Sequence, residues 1–200
     1  MGARCQNARH REPVDSGVMA IGSTMHTFEV DLADVDRGVY EQFTLRVAKH
    51  PSETEAFMVT RILAYCLEYV EGIAFGGGVS TTDEPAVLVR DLTGAMTAWI
   101  EVGAPDAARV HSGSKLAERA VVYTHRDPAK VLTAWSGKTI HRADDIALFA
   151  VDSALVDGTV AALARRNTLT VSRTEGQVYL DLNGTSISGT VDEHRITDAR

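Results

Sequence analysis

Apolar and polar residues alternate from His26 to Leu32 and again from Val39 to Ala48, where Phe43, Leu45 and Val47 share one face. A period of two marks a half-buried strand, and Asp34-Val35-Asp36-Arg37-Gly38 between the runs is turn chemistry, so the two runs predict an antiparallel pair. The period then lengthens. Ser52, with Glu55 three residues later, reads as a capping box and predicts a helix start. Phe57, Val59, Ile62, Leu63, Cys66, Leu67 and Val70 give that helix an apolar stripe suited to a sheet. Gly76-Gly77-Gly78 breaks the pattern. It does not stand between a strand and a helix as a phosphate-cradling loop does, and it reads as a linker.

Ala86–Arg90 and Ala95–Val102 are β-rich runs around Asp91-Leu92-Thr93-Gly94, a predicted hairpin. Pro105-Asp106 opens a helix expected to run to about Ala120, and Val121–Thr124 is a short buried-type strand. Strand, helix, strand in that order is a crossover, which predicts parallel strands. Further helices are expected over Pro128–Trp135 and Ser153–Arg166, with an apolar strand over Ile146–Val151 between them. From Leu169 onward three strand-like pieces break at Glu175-Gly176 and Asn183-Gly184, the second a strong two-residue hairpin signal. Residues 1–24 mix Gly, Pro, Asn, Arg and Ser without a period and read as a disordered extension, leaving 25–200 as one domain. The fold class is therefore α/β: a mixed central sheet flanked by helices, with an antiparallel N-terminal strand pair and a C-terminal β-meander.

Composition adds limits rather than identity. Two hundred residues, 44% of them apolar, suffice for one core of normal size. No apolar run reaches the ~20 residues that span a bilayer, and Met1–Thr24 has no apolar signal segment, so the expectation is no membrane and a cytoplasmic location. The net charge of −7 argues against indiscriminate nucleic-acid binding but leaves room for a local basic patch. Cys5 and Cys66 have no metal-ligand spacing, and Cys66 reads as core. Trp99 and Trp135 read as packing residues.

Candidate chemistry centres on Glu101. With the hairpin turn near Thr93, Glu101 falls opposite Pro85, give or take a residue, which brings Glu84, or Asp83, beside it. Two close carboxylates repel unless a cation or a shared proton compensates. Such an oxygen-rich pair suits Mg²⁺ or Mn²⁺, although by spacing alone charged residues at strand ends are more commonly just solvated. Glu101 also ends an apolar strand just before Gly103, and carboxyl ends of strands in α/β sheets are where ligands bind. The following helix is locally basic, with Arg109, His111, Lys115 and Arg119 as candidate contacts to substrate. A lysine beside a metal could orient water or stabilise developing charge, and Lys115 is the candidate. His111 with Ser112 or Ser114 does not make a nucleophile and base, because sequence neighbours on a helix do not face each other. His125-Arg126-Asp127 matches a kinase catalytic loop by letters alone.

Four segments carry a family resemblance: His50-Pro51-Ser52-Glu53-Thr54, Asp83-Glu84-Pro85, Trp99-Ile100-Glu101-Val102-Gly103 with Pro105-Asp106, and Val121-Val122-Tyr123-Thr124. In order and spacing they resemble the YaeQ family from about Met25 to Val191. That family is similar in fold to the PD-(D/E)xK nucleases. The resemblance implies Glu53 as the carboxylate of the first helix, Asp83 or Glu84 as the hairpin acid and Glu101 as the acid of the E-x-K element, together holding Mg²⁺ or Mn²⁺. Gly103 stands where the motif has lysine, and Ser112 where family members often carry one. Two function classes follow. One is a metal-dependent phosphodiesterase or nuclease-like enzyme acting on nucleic acid. The other is a catalytically degenerate nuclease-fold protein that binds nucleic acid or a protein partner, for instance in transcription.

Overall fold

A computed structural model describes residues 22–77 and 84–196, which leaves Gly78 and Asp83 outside the described residues. The expected antiparallel pair forms from β1 (Thr24–Asp34) and β2 (Val39–Lys49), in register from Thr24 with Lys49 to Asp34 with Val39. The first helix, α1 (Glu55–Leu67), begins later than expected. Thr54, not Ser52, caps it by accepting from the Phe57 amide, while Ser52 bonds to His50 Nδ1 instead. The helix also ends at Leu67, so Val70 lies beyond it and is exposed rather than part of the stripe.

A short edge strand that no pattern predicted, β3 (Ile73–Phe75), precedes Gly76. It pairs with β4 (Val87–Arg90), which pairs with β5 (Met96–Val102), the predicted hairpin. Val87 faces Ile100 and Val89 faces Ala98, with a bulge between Val89 and Arg90. Continuing that register puts Glu101 opposite Ala86, within one residue of the expectation. Next comes α2 (Ala107–Leu116), three to four residues shorter than expected, because Arg119 already pairs with Ala98 of β5 at the start of β6 (Arg119–Thr124). Sheet pairing has overridden helix propensity there. Then follow α3 (Pro128–Trp135), a 3₁₀ turn at Ala143–Asp145, β7 (Ala147–Val151), α4 (Ser153–Ala161), and the meander β8 (Arg166–Thr174), β9 (Gln177–Leu182) and β10 (Thr185–Arg195). The helix expected to reach Arg166 stops at Ala161 because Arg166 opens β8, parallel to β1.

All ten strands join one mixed sheet in the order β2-β1-β8-β9-β10-β7-β6-β5-β4-β3. Laid flat, its two edges would stand roughly 40 Å apart at ~4.8 Å per strand. They do not. Phe43 of one edge and Phe75 of the other both contact Tyr65 of α1, with ring centroids at 5.9 and 4.8 Å. The sheet therefore curls around α1, which explains why nine of that helix's thirteen residues are buried. The first core cluster unites α1 and α4 with the strands on this inner side. A second cluster, built on Trp99, Val110, Val122, Leu132, Trp135 and Leu148, packs α2 and α3 on the outer face of β5, β6 and β7. Both tryptophans and Cys66 are core residues, as expected. Among the described residues no helix is long and apolar enough to cross a membrane.

Candidate functional site

Strands β5, β6 and β7 run parallel, and the loops leaving the carboxyl ends of β5 and β6 lead into α2 and α3. The start of α1 approaches the same place from the inner side. Together they enclose a cleft of about 1190 Å³ lined by residues 52–54, Arg61, 101–106, Arg109, 125–127 and Lys130. Three helix N-termini open onto it. Thr54 caps α1, Asp106 caps α2 through the Arg109 amide at 2.7 Å, and Asp127 caps α3 through the Ala129 amide at 3.0 Å. Pro128 at the first turn of α3 fits because that position needs no N–H.

Two acids expected at the site line this cleft, and each already holds an arginine. Glu53 pairs with Arg61, Nη2 to Oε1 at 3.0 Å, with both side chains at or below 5% exposure. Its other oxygen accepts from the His50 amide at 3.1 Å, and Arg61 also donates to the Ala48 carbonyl. Arg61 further lies 5.2 Å from the Phe75 ring centroid, while its Nε is buried without a hydrogen-bond partner among the described residues. Burial lowers the pKa of this guanidinium, and Glu53 opposes the shift.

Glu101, 4% exposed, accepts at Oε1 from Trp99 Nε1 and Arg109 Nε, both at 2.7 Å. Burial pushes its carboxyl up, and this outweighs the downward pull of Arg109 and Trp99. Local packing holds the arrangement. Gly113 lets α2 press onto the Trp99 ring, where a Cβ would sit 2.5 Å from Nε1. Gly103 has φ +90° with the Phe57 ring 3.3 Å from a notional Cβ. Any side chain at this position would have to adopt that left-handed backbone against the ring.

Other expected site residues lie elsewhere. The Glu84 carboxylate does not meet Glu101. It accepts from the Gly77 amide at 2.9 Å and lies 3.6 Å from Arg90, while its backbone carbonyl accepts from Arg109 Nη2 at 2.8 Å. Lys115 is exposed in the last turn of α2 and does not line the cleft. Nor does His111, whose Nδ1 is buried without a partner among the described residues. Arg119 is not on the helix. It starts β6, roughly 16 Å along the strand from Thr124, and forms a two-pronged ion pair with Glu68, which also accepts from the Tyr123 hydroxyl at 2.8 Å. Asp83 lies outside the described residues.

Three cleft residues to which the sequence pattern assigned no role are prominent: His125, Arg126 and Lys130. Asp-Pro directly after a buried strand signals a helix start at a carboxyl strand end, and that signal could have selected them. Arg61 also had a signal, since a charge inside an apolar stripe requires a partner.

Among the described residues no three His, Cys, Asp or Glu side chains come together to hold a metal ion. A cation at Glu101 would also compete with a guanidinium already at 2.7 Å.

The curled mixed sheet, with a cleft at the carboxyl ends of its parallel strands, defines a class of α/β protein. Within that class this chain belongs to the YaeQ family, whose model, "YaeQ protein", matches residues 19–191. It is 32% identical over 111 residues to a protein of Escherichia coli K12 described as uncharacterized protein YaeQ, covering 56% of this chain and 61% of the relative. The matched stretch thus spans about six-tenths of that relative's length. Crystal structures of YaeQ proteins superpose well. The Pseudomonas syringae protein is 34% identical, covering 86% of this chain and 95% of that one at a TM-score of 0.74. The Xanthomonas axonopodis pv. citri protein is 27% identical at the same TM-score, covering 86% and 98%.

Proposed function

We propose that the cleft binds the phosphodiester backbone of nucleic acid and that it does so as a binding module, without a divalent metal. The observation that carries this reading is the convergence of the N-termini of α1, α2 and α3 on one cleft with Arg61, Arg126 and Lys130. Each helix terminus contributes roughly half a positive charge, which the carboxylate caps Asp106 and Asp127 offset in part at α2 and α3. The acids that would oppose an anion are already engaged: Glu53 by Arg61, Glu101 by Arg109, and Asp106 and Asp127 as caps. Arg126 and Lys130 stand exposed at the rim, so phosphate contact costs them little desolvation. The succession of α1, the β4–β5 hairpin, α2 and β6 supports the expected kinship with the PD-(D/E)xK fold, but the fold alone implies no hydrolysis.

The test is fluorescence anisotropy with labelled single-stranded oligonucleotides across a salt series, with EDTA and with Mn²⁺. Binding in EDTA is expected, with an affinity that falls as salt rises, and Arg126→Glu with Lys130→Glu should weaken it at least tenfold at low salt. Absence of binding, or binding untouched by the double charge reversal, sinks the proposal. Mn²⁺-dependent cleavage that is lost in Glu101→Ala would instead establish the nuclease-like alternative.

A further inference from the structure

His125 lies two residues beyond Tyr123, the strand partner of Val102, on the wall of the cleft nearest α1. Its Nδ1 is 3.1 Å from Oγ1 of Thr60, a residue of α1 with no solvent exposure. Thr60 has a single hydroxyl proton, and the Ala56 carbonyl stands 2.7 Å away to take it. The shorter of the two contacts takes that proton. Thr60 donates to Ala56, so Nδ1–H of His125 must donate to Thr60. In the neutral ring the lone pair then sits on Nε2, and the residue lines the cleft. Burial and the neighbouring Arg126 both lower the ring's pKa, against a weaker upward pull from Asp157 of α4, and so favour this neutral form. Beside the basic groups of the cleft the ring is thus an uncharged acceptor whose orientation Thr60 holds.

A phosphodiester offers no hydrogen-bond donor, so an acceptor within a phosphate cleft finds no partner on a DNA backbone. On RNA the 2′-hydroxyl adjoining each phosphate donates. We propose that His125 Nε2 accepts a hydrogen bond from a ribose 2′-hydroxyl and makes the cleft select RNA over DNA, with Thr60 as the positioning residue that fixes the tautomer. This rests on the reading of the cleft as a phosphodiester site.

Anisotropy with single-stranded RNA and DNA of the same sequence and label, on the full chain, tests it. The expected result is tighter binding of RNA by about 3–10-fold, the worth of one additional hydrogen bond. His125→Ala should bring the ratio close to one. Thr60→Val should reduce the ratio while keeping the imidazole, and Thr60→Ser, which restores the hydroxyl, should recover it. Equal binding of RNA and DNA by the wild type overturns the inference while leaving the cleft reading intact. So does a preference for RNA that survives His125→Ala. Binding of neither polymer overturns the cleft reading and this inference together.

Discussion

Replacing Arg109 by methionine keeps most of the side-chain stem and removes the charge that compensates Glu101. The Glu101 side chain is 5% exposed, and Trp99 Nε1 would still donate to it. Breaking a buried ion pair from one side costs about 3–5 kcal/mol, because the other charge stays buried and unpaired. Arg109 is 30% exposed, so water can enter part of the vacated space, which lowers the figure to about 2–4 kcal/mol. For a chain of this size that is a fall in Tm of roughly 5–15 °C. The loss should depend on pH in a defined sense. Burial already raises the Glu101 carboxyl, so its ionisation costs stability above its folded pKa and costs nothing below its unfolded one. Without Arg109 that cost grows. The variant should therefore be most destabilised at neutral pH and approach the wild type as Glu101 protonates. Urea denaturation at several pH values measures this, and the double variant Arg109→Met with Glu101→Gln should recover much of the loss at neutral pH. If Arg109→Met matches the wild type at neutral pH, or the double variant is no better than the single, the Glu101–Arg109 pair does not have the role assigned to it.

Three further outcomes are expected. Gly103→Ala forces a side chain into a left-handed backbone against Phe57, which should cost about 1–3 kcal/mol in urea denaturation, and Gly103→Lys should be no more stable than the alanine variant. The Cys66 thiol, fully buried and pushed up to about 12, should resist alkylation in the native protein and react once urea unfolds it. His125 should titrate by NMR below the ordinary histidine value of 6.5, its depression set by burial first and Arg126 second against Asp157. A histidine held neutral must be charged on unfolding in acid, so its contribution to stability should be lost as pH falls from its unfolded pKa through its folded one. A midpoint at or above 6.5 contradicts the packing described around it.

Alternation and turn chemistry make the strand pairs legible in the sequence itself. β1 with β2, the β4–β5 hairpin and the meander ending in β10 all follow from local signals, and the hairpin register is off by one at a bulge no pattern announces. Nonlocal geometry is not legible in this way. β3 is three residues held by pairing to β4, and the C-terminal end of the predicted second helix is taken by β6 because Ala98 offers Arg119 a strand partner. The curling that brings Phe43 and Phe75 to one tyrosine leaves no trace in a single segment. The site divides the same way. Glu53 and Glu101 are legible as acids near strand and helix ends. Their arginine partners are not, since Arg61 follows Glu53 by eight residues and Arg109 follows Glu101 by eight, spacings set by how the helices dock. Register places Glu84 near Glu101, but its carboxylate turns to Gly77 and Arg90, a choice of rotamer that strand pairing does not determine.

The three helix starts, taken as one site for a phosphate backbone, are tested most directly by amide chemical-shift mapping during titration with a short single-stranded oligonucleotide in EDTA. The largest shifts are expected at residues 52–55, 103–109 and 125–130, all moving along a single saturating curve. Shifts concentrated on the β2 edge or on the outer faces of α2 and α3, or no shifts until Mn²⁺ is added, would contradict a metal-free phosphate site at the three helix starts.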